Sequence, residues 1–589
     1  MKILAKFDKV KTLAGEIKTH WNTPAEGKYV PYKEYKDVFL GVGCNYAGSK
    51  VLEYIGFASA CFLIMHHYHI PYLTFSIISI LNMPLGYVTA LMWWIVCDNL
   101  GFIPKRTEKK FYGVYVGMML FGISTLIIDY SSLLFNQDSG FIKLLNGLEG
   151  MDATACFKVF GTHFLYSGWV GARNIFWRKK LLPKYGRYKY SLYCDVIPKC
   201  VMVVLIGWLP IQKWFADDVA TRVWVANLLF AVYNVFGFGN SLEECSKRIS
   251  PNPKERILVR TYPVKLSHFL QTIMFVVITA VIGALPNEWA DINMYRFVIP
   301  ISFISLAAVT MIFASKTKER IPQPPIEEKP QIKFWDGMFG VLRNKYLLIN
   351  TIVGLIDSLG NGMLSVTVIL YLYTFRLSGL PYSLITILIS FAGTPPDFFS
   401  PYFLKRFSYK QIMIFYQVTR ALGNAAVAAA MWFTGENLML CGTICIVVLF
   451  FMEMTKTIPT TAGHDMGVKI HDYQMYLSGE RLESFAGLFG WFTGPITSFV
   501  GMIIPIFLLR WGFKSNWEVL FLDDVRRNII VIPIIVDVIG FSLMTIPYFF
   551  WDYDAKKQSM VMEVLKRRAE VTEKQAEKEG KTVSGGFAG

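Results

Sequence analysis

Charge is scarce in this chain: only 17% of its 589 residues are Asp, Glu, Lys or Arg, against about 25% in an ordinary soluble domain. Long polar stretches are as scarce, confined to residues 1–38, 315–343 and 552–589, which leaves no room for a soluble catalytic domain. The nine cysteines have no metal-binding spacing and lie mostly in or beside apolar windows, so neither a disulfide framework nor a zinc site is indicated. No Ser-His-Asp order, paired-carboxylate setting or metal-ligand cluster stands out. The lysine-rich first 38 residues lack an apolar core, so no cleaved signal peptide is expected. The run GVGCNYAG at 41–48 lacks the Gly-Lys-Ser/Thr ending and the preceding strand of a phosphate loop. Its small residues suit close helix contact instead.

What is abundant is apolar sequence. Hydrophobic residues make up 53% of the chain and recur in windows of about twenty from after Asp37 to Trp551, each long enough to cross a bilayer as a helix. Fourteen crossings are predicted: 39–66, 72–97, 112–135, 157–176, 192–211, 222–242, 266–286, 294–314, 344–373, 381–402, 411–433, 437–456, 484–509 and 528–551. The fourth is the least apolar, because it contains His163 and Arg173. The expected fold class is an all-α polytopic membrane protein.

Connector charges support this count. Lys105, Arg106, Lys109 and Lys110 follow the second crossing, Asp138, Glu149 and Asp152 the third, and Arg178, Lys179, Lys180, Lys184, Arg187 and Lys189 the fourth. The alternation continues to Lys316, Lys318 and Arg320, which places both termini in the cytoplasm. Lys and Arg outnumber Asp and Glu by 59 to 43. In a soluble protein that excess would raise nucleic acid as a partner, but here the basic residues gather beside the windows, and no nucleic acid is expected.

Pro322, Pro324, Pro325 and Pro330 discourage a helix in 315–343, which reads as a linker between two bundles. The domain organisation expected is therefore a cytoplasmic segment 1–38, an N-terminal bundle 39–314, the cytoplasmic linker 315–343, a C-terminal bundle 344–551 and a solvated cytoplasmic tail 552–589 with some helical spacing.

Ionisable and strongly polar groups at bilayer depth are costly and mark cavities, partners or transport paths. Asn45, Lys50 and Glu53 occupy the first crossing; Lys50 and Glu53 can share a face, as a structural pair or as cavity wall. Asp357 and Asn361 are four apart after the linker, and Arg420 and Asn424 repeat that spacing with the means to bind an anion or pair with an acid. Pro395, Pro396 and Asp397 interrupt another crossing, Glu453 and Lys456 pair near the end of a further one, and Asp537 in the last is a lesser candidate.

Residues 472–484, DYQMYLSGERLES, resemble the late cytoplasmic signature of the glycoside-pentoside-hexuronide:cation symporters, the melibiose-permease-like branch of the major facilitator superfamily. Asp472, Tyr473, Ser478, Gly479, Arg481 and Glu483 match that pattern, GRYK at 186–189 resembles the basic loop before the family's third helix, and KER at 254–256 the loop after its fourth. Asp357 and Asn361 fall where the family has polar positions in its seventh helix. The resemblance implies a major facilitator-like two-bundle fold of twelve core helices, here with two extra in the N-terminal half, and a cytoplasmic gate at Asp472, Tyr473, Gly479, Arg481 and Glu483. The family's second helix corresponds either to 72–97 or to 157–176.

Departures from the family affect the mechanism. The positions of its cation-binding aspartates would be Leu85 and Thr89 in one alignment, or Ser167 and Gly171 in the other, and its sugar-contacting aspartate corresponds to Gly237. Its lysine in the eleventh helix corresponds to Pro495, and the aspartate ahead of the Asp-Tyr pair to Lys469. The expected function is accordingly a secondary transporter, not an enzyme, moving a small polar solute such as a sugar, glycoside or hexuronide by alternating access. No cofactor or metal is expected; if transport is ion-coupled, H+ rather than Na+ is the expected ion, with Glu53 or Asp357 as its carrier. A monomer in the cell membrane, with solute and lipids as partners, completes the expectation. The alternatives are a uniporter or symporter for an unusual non-sugar or anionic solute, a transport-inactive sensor or scaffold, and a membrane-embedded transferase built around His464 and Asp465.

Overall fold

The computed structural model describes residues 14–58, 105–136, 138–185, 190–236, 253–286, 291–318, 334–357, 391–479 and 531–578, with short pieces at 63–64, 67–71, 74–75, 77–78, 238, 249–250, 320, 384–385 and 388–389. Among the described residues the regular structure is helical throughout, with no strand. The helices are α1 (Tyr32–Ala58), α2 (Lys105–Ile127), α3 (Ala153–Tyr185), α4 (Tyr190–Trp208), α5 (Val219–Val235), α6 (Pro253–Gly283) and α7 (Ile299–Ala314, preceded by a π turn at Met294–Val298). The second half contributes α8 (Phe334–Leu342), α9 (345–357), α10 (Thr394–Arg406), α11 (Tyr409–Thr434), α12 (Leu438–Ser478), α13 (Ile532–Phe549) and α14 (Ala555–Lys578). Among them Glu108–Ile127, Met294–Ala314, Leu438–Ser478 and Ile532–Phe549 are long and apolar enough to cross a membrane.

Local chemistry sets the helix ends. Asp218 opens α5 by accepting from the Thr221 N–H, Asn437 caps α12 through the Leu440 N–H, and Ser408 and Gln411 form a reciprocal capping box at the start of α11. Pro198, Pro263 and Pro459 lie inside α4, α6 and α12. Membrane helices tolerate such interruptions when neighbouring groups take up the freed carbonyls.

In the N-terminal half, α1 lies between α6 and α7, while α2 packs chiefly on α3, which in turn meets α4 and α5. The glycine-rich run of α1 makes these contacts close. A Cβ on Gly41 would sit 2.6 Å from the Ala314 backbone nitrogen, and one on Gly48 would sit 2.7 Å from the Phe238 ring. Small residues thus bring the α1 and α7 backbones together, as the sequence suggested. In the C-terminal half α11 lies between α12 and α13, and α10 packs on α12.

Buried contacts differ between the two ends of the molecule. At the end carrying the connectors 209–218, 284–293 and 435–437, here called the loop end, one continuous core joins the N-terminal helices to Val427, Met431, Cys441, Cys445, Val531 and Ile534 of the C-terminal half. At the opposite end, the tail end, the described residues form two separate clusters. Val30, Val38, Val42, Ile249 and Val259 make up one, while Tyr346, Ile470, Phe541, Tyr548, Val561 and Leu565 belong to the other.

The predicted twelfth crossing, 437–456, lies within α12, whose helix runs on beyond it to Ser478 and stops at Gly479, whose φ of 74° is the left-handed turn that glycine adopts without strain. The tail does not float in solvent over its helical part: Val561 and Leu565, four apart on α14, are buried, and Arg568 donates to the Met475 and Tyr476 carbonyls at the end of α12. Burying two such side chains stabilises the docked tail by about 1.5–3 kcal/mol each. The predicted crossing 484–509 lies outside the described residues, as does nearly all of 72–97.

Candidate functional site

In the C-terminal bundle the spacing of Gln417, Arg420 and Asn424 puts them on one face of α11. That helix packs against α13, which brings Asp537 and Phe541 opposite. The Arg420 guanidinium lies 3.8 Å from the Phe541 ring centroid and 5.4 Å from that of Tyr416. The charges of Arg420 on α11 and Asp357 on α9 both reach Asp537, and Arg420, Glu453 and Asp357 act on Tyr416. The fold thus gathers Asp357 and Arg420 around Asp537, with Asn424 one turn further along the same face of α11. Several polar atoms there are buried without a hydrogen-bond partner: Gln417 Oε1, Asn424 Nδ2 and both carboxylate oxygens of Asp537. Folded proteins pair the great majority of buried polar atoms, so each such orphan calls for a water, an ion, a ligand or a functional role to account for it.

The N-terminal bundle contributes a smaller polar spot. Gly41 on α1 meets Ala314 and Gly48 approaches Leu306, so the antiparallel register sets Asn45 and Thr310 at one level. Among the described residues, Asn45 Oδ1 and Thr310 Oγ1 are both buried without a hydrogen-bond partner. Lys50, further along α1, is exposed. Glu53 lies on α1, but its side chain, like Asn361, Arg481 and Glu483, falls outside the described set.

A buried charge network joins α3 and α4 and was missed by the sequence reasoning. Arg173 forms a short ion pair with Asp195, donates to the Cys194 carbonyl at 3.0 Å and lies over the Phe236 ring at 5.0 Å. Lys199, one turn after Asp195, donates to the Tyr233 carbonyl at 2.7 Å and sits 3.2 Å from the Tyr233 ring centroid. The signal was present: Asp195 and Lys199 are ionisable residues four apart inside an apolar window. Under the second alignment, the family's cation positions map to Ser167 and Gly171 of α3. Side-chain volume is excluded at Gly171, because any Cβ there would run into the Tyr115 ring.

At the tail end, Asp472 and Tyr473 lie on the last turns of α12 and Gly479 terminates it. The Tyr473 ring packs 4.8 Å from Tyr346 and 6.0 Å from Tyr553, and the Asp472 charge reaches Tyr553. Lys469, which stands where the resemblance expects an aspartate, is buried and donates to the Tyr409 hydroxyl at 2.7 Å while pairing with Asp465 at 3.1 Å. Asp465 also accepts from Tyr409, so the carboxylate considered for a transferase is engaged in a structural cluster. In the other bundle Glu255, from the KER segment, accepts from the Tyr29 N–H and the Tyr35 hydroxyl, and Glu34 pairs with Arg320 at 2.5 Å.

Asp552 connects the docked tail to α9. Partial burial would push its carboxyl up, but hydrogen bonds from Lys345, Tyr346 and Lys557 hold it below the usual carboxylate range. A depressed value stabilises the folded state above the unfolded value of about 3.9, and the contribution is lost as pH falls through the folded value. Asp552→Asn is therefore expected to lower stability near neutral pH by about 1 kcal/mol, a figure already discounted for its half-exposed side chain. Thermal unfolding in detergent should show the deficit at pH 7 and a progressively smaller one below pH about 4. A deficit that does not change with pH would reject this role.

A groove of about 870 Å³ opens at the loop end beside Asn146, Asp152, Lys158 and Asp218. Its two acids serve as helix caps, accepting from the Ala155 and Thr221 N–H groups.

Helices packed into bundles, apolar spans and charged groups buried within them define the class as a multi-pass membrane protein. A family model described as MFS/sugar transport protein matches residues 179–554. The chain belongs to that family, within the major facilitator superfamily. The match begins just ahead of the GRYK loop at 186–189 and runs through α13. No curated protein matches the chain. Among solved structures it is similar to a bacterial homologue of the iron transporter ferroportin in an inward-facing state, with 9% identity and a TM-score of 0.44 over 89% of this chain and all of that one. It is also similar to a bacterial homologue of the human lysosomal transporter Spinster, inward-facing and unoccupied, with 11% identity and a TM-score of 0.40 over 81% of this chain and 97% of that one.

Proposed function

We propose that this protein is a secondary transporter of the melibiose-permease-like type, moving a small polar solute such as a sugar, glycoside or hexuronide by alternating access between bundles 39–314 and 344–551. The observation that carries this reading is the placement of unpartnered buried polar atoms in both halves, Asn45 and Thr310 on one side and Gln417 and Asn424 on the other. The cores of the halves join at the loop end and part at the tail end. Hydroxyl-rich solutes supply both donors and acceptors, which such orphaned amide and hydroxyl groups require.

In this reading Asn45, Lys50, Glu53, Asp357, Asn361, Arg420 and Asn424 contribute to the solute path and its coupling. Asp472, Tyr473, Gly479, Arg481 and Glu483 form the cytoplasmic gate, and both termini lie on the cytoplasmic side of the cell membrane. The linker 315–343 allows the halves to rock. Its start is held to α1 by the bond from the Lys318 N–H to Glu34, and α8 at its far end packs on α12. The protein works as a monomer, coupled to H+ rather than Na+.

Uptake into proteoliposomes of a panel of radiolabelled monosaccharides, disaccharides, glycosides and hexuronates, with imposed pH or Na+ gradients, tests the reading. Saturable uptake of at least one solute is expected. Absence of flux across the panel from a folded, correctly inserted protein would reject it.

A further inference from the structure

We propose that Asp537 is the site that binds and releases the coupling proton. The inference rests on the transporter reading above and moves the proton from the two carboxylates the sequence favoured, Glu53 and Asp357, to a third.

Asp537 lies on α13 with none of its surface exposed, and among the described residues neither carboxylate oxygen has a hydrogen-bond partner. A carboxylate that is buried, ionised and without donors is costly, because no protein dipole replaces the water it has lost. Two agents can relieve that cost: a nearby cation or a bound proton. Among the described residues, the charged groups that face Asp537 from the helices packed around it are Arg420 on α11 and Asp357 on α9. Tyr416 on α11 and Tyr548 on α13 itself adjoin the same cluster. Glu453 on α12 is already paired with Lys456 at 3.1 Å. One guanidinium thus faces two carboxylates, and its single charge can neutralise one of them. Asp357 is partly exposed, whereas Asp537 is fully buried with no hydrogen bond to either oxygen among the described residues. The proton supplies the missing charge.

The step is a simple association: a bulk proton adds to one Asp537 oxygen, forms an O–H bond and cancels one negative charge. Release reverses it when the cluster opens to water. The geometry also explains how solute and proton communicate. Arg420, Gln417 and Asn424 share one face of α11, so a solute drawing on Asn424, Gln417 or the guanidinium changes the field at Asp537 within the same cluster. A solute that engages Arg420 leaves Asp537 more dependent on its proton, and this favours binding the two together.

The test has two arms, each with Asp537→Asn, which keeps the shape of the side chain, and with thermal unfolding to confirm that the variant is folded. The first needs no solute. Infrared difference spectroscopy of the purified protein through a pH titration is expected to show a protonated-carboxyl band that shifts in deuterium oxide and is lost in the variant. Persistence of every such band in Asp537→Asn would overturn the proposal.

The second arm uses the solute panel in proteoliposomes. A pH gradient is expected to drive accumulation in the wild type, and in the variant the accumulation ratio driven by that gradient should fall at least tenfold. Full gradient-driven accumulation in the variant would overturn the proposal, as would accumulation driven by Na+ and not by pH. If no solute in the panel moves, the transporter reading fails, while the infrared arm still decides whether Asp537 carries a titrating proton.

Discussion

Replacing Asp195 with Ala is expected to destabilise the protein by about 3–5 kcal/mol, because it removes the anion from a buried network and strands two cations. Arg173 would keep the Cys194 carbonyl and the Phe236 ring, and Lys199 the Tyr233 carbonyl and ring. Those dipoles do not cancel a whole charge in a low-dielectric interior. Thermal unfolding in detergent should fall sharply for Asp195→Ala. The triple variant Arg173→Met, Asp195→Leu, Lys199→Met should recover most of the loss, since well-packed apolar side chains of similar volume can replace a buried ionic network at little cost. If Asp195→Ala unfolds at the wild-type temperature, the ion pair does not hold α3 to α4. If the triple variant is as unstable as the single one, the network's geometry rather than its charge balance is what matters.

This network also explains why the fourth crossing reads poorly in sequence. Arg173 looks out of place in an apolar window until α4 supplies Asp195. Hydropathy is a property of one segment, whereas charge compensation is a property of two. The same distinction separates what was legible in the candidate site from what was not. Arg420 and Asn424 could be read as a pair because they lie four apart on one helix. Their relation to Asp537 depends on α11 packing against α13, a contact between distant parts of the chain that no local pattern encodes.

Helix ends show a comparable limit. The sequence stops being apolar near Lys456, which suggested the end of a crossing, but α12 runs on to Ser478 through Pro459, Asp465 and Lys469. Leaving an apolar environment is not a reason for a helix to stop. Its last turns are covered by α8 and α14, and termination waits for Gly479. The tail shows the converse: its charges pointed to solvent, but the spacing of Val561 and Leu565 makes one narrow apolar stripe, and that stripe is what docks.

Replacing Arg420 with Leu should abolish transport, with a loss of about 100-fold or more in initial uptake, equivalent to nearly 3 kcal/mol. The substitution leaves Asp357 and Asp537 in one cluster without their shared cation, so both the solute face of α11 and the charge balance behind it are lost. Arg420→Lys keeps the charge but loses the planar stacking on Phe541, at 3.8 Å, and the fork of donors that reaches Tyr416. A cation over an aromatic face contributes about 0.5–2 kcal/mol, so an intermediate loss of about tenfold is expected. Stability separates the two effects. Arg420→Leu should unfold at a lower temperature than the wild type, and adding Asp357→Asn should restore part of the difference by removing the carboxylate left without its cation, without restoring transport. Wild-type uptake in Arg420→Leu would remove this face of α11 from the solute path. A double variant no more stable than Arg420→Leu alone would show that Arg420 and Asp357 do not share a charge balance.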